Sequence, residues 1–354
     1  MISRVRDIIS KNRVYAWMII FIILLQACIL LTHTELPKPT KDSLPLSREE
    51  FKLQLEERQE AMREILLQNY GLAQIMSLIF MFGMAVIITG LVLLSGYIIK
   101  KRRGTEPIPR TLETEAPLWG IGDVIRIAII FIFLSYTFSA FSYILKLHFS
   151  GEGLDRRAGL VASTTFMDFL IFMFVLRFVI VKYKQNISAL GISAKRLVKN
   201  IMVGVYSYVG FLPILTVLFL TVLVIAKLLN YTPPPEPVYE LIFEEKRPYL
   251  LVIISCLIAL LGPIIEEVFF RGFLYTALRK RAGVLFSILI SASLFSLLHT
   301  NLLGFVPILA LGMLLAYVRE KTGSLIPSIT IHVIHNTALA GMMFFVRELS
   351  SKTL

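Results

Sequence analysis

The sequence predicts an all-α, polytopic transmembrane bundle of about eight spans with one extramembrane charged helix. Three observations lead there. The chain has 354 residues and is 56% hydrophobic, with a mean hydropathy of +0.75. Several apolar runs reach the ~20 residues that a bilayer helix needs. Lys and Arg gather beside those runs, as the positive-inside pattern expects of cytoplasmic loops. The net charge of +12 therefore points to the lipid bilayer as partner. No basic stripe interleaved with aromatics invites a nucleic acid. Cys28 and Cys256 both fall in apolar runs and read as packing thiols, with no Cys-x-x-Cys beside them.

Residues 1–13 are polar and basic, and 14–31 form the first apolar span. Leu-Gln-Ala before Cys28 loosely resembles a lipoprotein cleavage site. The apolar run continues past Cys28, however, and Gln26 fits such a site poorly. A retained signal-anchor with a cytoplasmic N-terminus is the reading. Pro37, Pro39 and Pro45 keep 35–46 extended. Ser47 to Glu50 is a capping-box signature that opens a charged helix over about 47–69. Its weak apolar stripe covers either a partner or its own protein.

Residues 72–99 make the second span, closed by the basic cluster from Lys100 to Arg103, a cytoplasmic marker. The third span is 124–147, the fourth 160–181 and the fifth 201–229. Lys182, Lys184, Lys195, Arg196 and Lys199 mark the loop between the last two as cytoplasmic. Asp168 and Arg177 lie in the fourth span, too far apart to be an evident pair. Asp168 reads first as structural and second as a site residue. A stiff loop follows at Pro233 to Pro237. Residues 249–346 are one apolar block, broken by turn signals at Gly262-Pro263, Arg279 to Gly283, Asn301 to Gly304 and Arg319 to Gly323. The proline predicts a helix break there. The chain thus divides into an N-terminal transmembrane region over 1–248, a core over 249–346 and a polar tail over 347–354.

Chemistry concentrates in the core. Glu266 and Glu267 are adjacent carboxylates inside an apolar run, and intramembrane acids mark function by default. Arg271 follows Glu267 at the i,i+4 spacing of one helix face. That pairing would keep Glu267 ionised and leave Glu266 to differ from it, a common acid/base arrangement. The alternative is a structural ion pair. Taking Ala282–Gly283 as the tip of a helical hairpin, Glu266 and His299 both lie about 16 residues away. At 1.5 Å per residue they sit at matching depth, about 24 Å from the tip. Phe295, one turn before His299, can wall that side. His332 and Asn336 share a face of the last span, while His335 points elsewhere and ranks lower. Three helices thus bring polar groups to a common depth.

These residues resemble the CPBP family of intramembrane proteases, which includes type II CAAX prenyl endopeptidases and bacteriocin-processing and self-immunity proteins. Glu-Glu-x-x-x-Arg is Glu266 to Arg271, Phe-x-x-x-His is Phe295 to His299, and His-x-x-x-Asn is His332 to Asn336. Gly272 and the run Thr322-Gly-Ser-Leu also look like the family. The resemblance covers about 249–346. It implies an all-α membrane fold with a cavity open to the cytosolic side, and hydrolysis of membrane-associated peptides or proteins. Glu266 would be the general base and His299 would orient the water. His332 and Asn336 would hold the water or the oxyanion, and Arg271 would set the glutamate pair with Glu267. No cofactor is required by these residues, although Glu266, His299 and His332 are a set that zinc could use. There is no His-Glu-x-x-His motif, and metal-free water activation is favoured. Two rival classes remain: a non-catalytic scaffold or bacteriocin-immunity factor, and a proton-coupled transporter, which would usually show inverted repeats.

Overall fold

The computed structural model describes residues 12–32, 60, 67, 70–148, 156–231, 242–243, 245–299 and 302–351. The expected charged helix at 47–69 (save Glu60 and Leu67), the prolines before it and the loop from Pro233 to Pro237 lie outside the described residues. Every described regular element is helical: α1 (Arg13–Thr32), α2 (Tyr70–Arg102), α3 (Ile121–His148), α4 (Arg156–Leu176), α5 (Leu197–Leu228), α6 (Pro248–Cys256), α7 (Gly262–Glu267), α8 (Tyr275–Leu298), α9 (Phe305–Thr322) and α10 (Ile326–Ser351). α10 carries the helix through most of the stretch read as a tail.

Five stretches among the described residues are long and apolar enough to cross a bilayer: α2, the Ile121–Phe138 part of α3, α5, the run Pro248–Leu298 and the Ile326–Leu349 part of α10. The first helix, α1, is also apolar and runs 20 residues. α9 ends on Arg319, Glu320 and Lys321, and α4 opens on two arginines and carries Asp168. The three charges leave α9 outside the five, and the single stretch Pro248–Leu298 turns back on itself at Gly283.

The run Pro248–Leu298 is where composition and geometry part. The break expected at Gly262-Pro263 does not occur. Helical backbone passes through both residues, and the turn before them widens into a π-helical segment, Leu257–Leu261. A proline inside an α-helix clashes with the carbonyl four residues back; one extra residue in the preceding turn relieves that conflict without ending the helix. A second π segment, Val268–Leu274, follows α7. The reversal comes instead at Gly283, inside α8, with φ 73° and ψ 179°. That conformation is open only to glycine. The two arms then pack on each other: Ser291 Oγ donates to the Phe270 carbonyl at 3.2 Å, and the Phe270 and Phe295 rings meet edge to face at 5.2 Å.

The main core surrounds the second π segment. Phe270, Phe273, Leu274, Trp119, Val175, Leu190, Phe295 and Leu325 are buried together. The Trp119 ring stacks on Phe273 at 5.3 Å, and its indole N–H donates to the Phe273 carbonyl at 2.9 Å. On the other flank α2 crosses α5 closely, because Gly90 lies against the Pro213 ring with no space for a side chain.

Polar contacts tie the helix ends together at the Gly283 end of the hairpin. Glu106 accepts from Lys321 at 2.7 Å and from Lys101 at 3.2 Å. The Lys321 hydrogen bond, with the Lys101 one, holds the Glu106 carboxyl below the usual glutamate range. Glu320 accepts from Tyr275 at 2.7 Å and Arg279 at 3.2 Å. Lys280 reaches the Pro117 and Trp119 carbonyls at 2.7 and 3.0 Å. Asp123 accepts from Arg126 and Lys182. Of the residues read as cytoplasmic loop markers, Lys101, Lys182, Arg279, Lys280 and Lys321 thus join a polar collar.

Candidate active site

Arg271 and Glu267 pair as their spacing predicts. Nη1 donates to Oε1 at 2.9 Å, and both side chains are fully buried. The guanidinium lies over the Phe295 ring, 4.2 Å from its centroid, and Nη2 reaches toward the Gly312 carbonyl at 3.4 Å. A β-carbon at Gly312 would come within 3.3 Å of that nitrogen and 3.1 Å of Ala292. The glycine therefore admits the arginine between α9 and the hairpin. A charge this deep persists only with a partner.

His332 brings α10 to the pair. Its Nδ1 lies 3.1 Å from Glu267 Oε1, so the carboxylate accepts the Nδ1 proton and the lone pair is left on Nε2. That nitrogen faces Glu266 Oε2 at 3.8 Å. The two glutamates are unlike. Glu267 is sealed and held by Arg271 and His332, whereas the Glu266 side chain is 34% exposed. Oε2 of each glutamate is buried without a hydrogen-bond partner among the described residues, so the difference lies in the bonds to Glu267 Oε1 and in the exposure of the Glu266 side chain.

His299 closes α8. Its Nδ1 lies 2.8 Å from the Phe295 carbonyl, which as an acceptor again leaves Nε2 with the lone pair. The Phe295 ring contacts both imidazoles, His299 at 4.6 Å and His332 at 5.5 Å between centroids. The Phe270–Phe295 contact pairs the two hairpin arms one turn short of Glu266 on one and of His299 on the other.

The other polar residues divide. Asn336 does not face the glutamates with its amide nitrogen; Nδ2 donates to the Ile258 carbonyl at 3.0 Å. His335 turns away to α5, where its Nδ1 lies 3.0 Å from the Tyr208 hydroxyl. Asp168 sits on α4, which packs against α7, the helix of Glu266. Sequence reasoning passed over Tyr208 entirely and ranked Asp168 low, because neither has a sequence neighbour to mark it. The Gly262-Pro263 pair was a signal for the Ile258 contact, but it reads as a break until the turn is seen.

For a metal, the donor chemistry of two free Nε2 atoms and a carboxylate is apt. No three His, Cys, Asp or Glu side chains among the described residues converge on a common point, however.

Comparisons agree with this core. Residues 248–338 match the family described as Type II CAAX prenyl endopeptidase Rce1-like. A candidate membrane peptidase of Bacillus subtilis (strain 168), YdiL, is 31% identical over 88 residues, covering 25% of this chain and 35% of the relative. The match therefore spans about a third of that relative. No solved structure matches. The matched stretch runs from the start of α6 through His332 and Asn336, and it holds the buried ion pair and both imidazoles. Over residues 248–338 the chain carries a domain of the Rce1-like CPBP family.

Proposed function

We propose that the protein is an intramembrane endopeptidase that hydrolyses peptide bonds of membrane-associated substrates, with Glu266 as general base. The observation that carries this reading is the asymmetry of the two glutamates: Glu267 is fully buried and held through Oε1 by Arg271 and His332, whereas the Glu266 side chain is part-exposed and sets Oε2 3.8 Å from His332 Nε2. A water between Glu266 and the imidazoles gives its proton to the carboxylate as its oxygen attacks the scissile carbonyl carbon. Glu266 then returns the proton to the leaving nitrogen as the C–N bond breaks. His299, with its Nδ1 proton committed to Phe295, accepts from the water through Nε2 and orients it. The Arg271–Glu267–His332 chain fixes the ring of His332, the part a third group plays in triads. No resident metal is needed for these steps.

The family description favours prenylated CAAX C-termini as substrates. The basic collar supports a cytoplasmic placement of that end of the bundle and of the N-terminus. The test uses the purified full chain in micelles with two probes, a farnesylated CAAX peptide and an unprenylated transmembrane peptide, and reads products by mass spectrometry. Glu266→Ala and His299→Ala should each remove cleavage while the protein stays folded. Unchanged cleavage in either variant, or cleavage by wild type that stops with chelator and returns with zinc, would sink the mechanism as written.

A further inference from the structure

Asn336 holds a position that the hydrolytic reading alone does not explain. At the end of the π-helical turn Leu257–Leu261 the register lengthens to five residues, and the Gly262 N–H goes to the Leu257 carbonyl. The next donor in that register would serve Ile258. It is Pro263, which has no N–H. The Ile258 carbonyl is thereby orphaned inside an apolar helix, where an unmet polar group is costly. The group that meets it comes from another helix: Asn336 Nδ2, at 3.0 Å. The amide orientation follows from the chemistry, since Oδ1 turned toward a carbonyl oxygen would repel it. The turn is also crowded. A β-carbon at Gly262 would lie 2.9 Å from the Leu257 carbonyl and 3.9 Å from Glu266 Oε1.

We propose that Asn336 is a positioning residue, donating to Ile258 the hydrogen bond that Pro263 withholds. It thereby pins α10 to the turn that presents Glu266. The staple sits one helical turn beyond His332 on α10 and begins eight residues before Glu266 on the other helix. It therefore sets the register in which His332 Nε2 meets Glu266 Oε2 at 3.8 Å. This role rests on the peptidase reading for its consequence in catalysis, but not for the staple itself.

A double-mutant cycle tests both. Asn336→Ala, Pro263→Ala and the double variant are made in the full chain, and unfolding midpoints in micelles are compared with kcat and KM on the farnesylated CAAX peptide. Asn336→Ala should lower the midpoint and cut kcat about tenfold or more with KM little changed. In the double variant, the N–H restored at position 263 should recover both. Additive midpoints overturn the staple. A midpoint that recovers while kcat stays lost also overturns the assignment, because Asn336 would then act on the substrate itself. If wild type cleaves no probe, the peptidase reading fails and the midpoints alone decide: coupling supports the staple, additivity rejects it.

Discussion

Arg271 and Glu267 are fully buried and meet at 2.9 Å, so removing one leaves the other's charge stranded. Arg271→Met should destabilise by about 3–5 kcal/mol. Converting Glu267 to Leu as well should restore most of that loss, with hydrolysis absent in both variants. Denaturation in micelles beside a peptide assay checks this; a double variant no more stable than the single one would refute it. Asp168 lies outside the family match, on α4, which packs against the helix of Glu266. Asp168→Asn should slow cleavage about tenfold or more at an unchanged unfolding midpoint; an unchanged rate assigns it to packing. At this scale the sequence was legible wherever chemistry repeats at helical spacing. Arg271 finds Glu267 because both ride one helix. The contacts of Asn336 with Ile258 and of His335 with Tyr208 join residues 78 and 127 positions apart, and no local pattern announces such pairs.

At the scale of elements, the hairpin turn was readable and the helix interruption was not. Glycine after a basic cluster marks the tip, and Gly283 takes φ 73° there. Gly283→Ala should cost about 1–3 kcal/mol while leaving cleavage in place, because its position is far from Glu266. Loss of cleavage without loss of stability would contradict that separation. Proline after glycine suggested a stop. A stop and a π turn both answer the same missing N–H, and only the availability of Asn336 on a neighbouring helix decides between them. Hydropathy gave each long apolar stretch its place in the chain. The run Pro248–Leu298 counts once by length but turns back at Gly283, so the five stretches hold more than five helical arms.

Across the whole molecule, the collar joins the ends of α2, α3, α8 and α9 on one side. Glu106 is held below its usual range by Lys321 and Lys101. A carboxyl lowered on folding stabilises above its unfolded value and loses that contribution as pH falls through the folded one. Unfolding midpoints of wild type and Glu106→Gln should therefore differ near neutral pH and converge in acid, below the ordinary carboxylate range; a gap that persists there would contradict the assignment. Single cysteines at 105, 283 and 321 should react from the same face of sealed vesicles. Labelling from opposite faces would break the collar as drawn. The division of labour between helices has its own effect. Glu267 and Arg271 travel together on one helix, whereas His332 rides another and reaches them only across the gap. Any parting of α10 from the hairpin, wide enough to let a guest segment slip in sideways, removes the imidazole and leaves the ion pair whole. Were a substrate to enter by that route, admission and cutting would be successive acts.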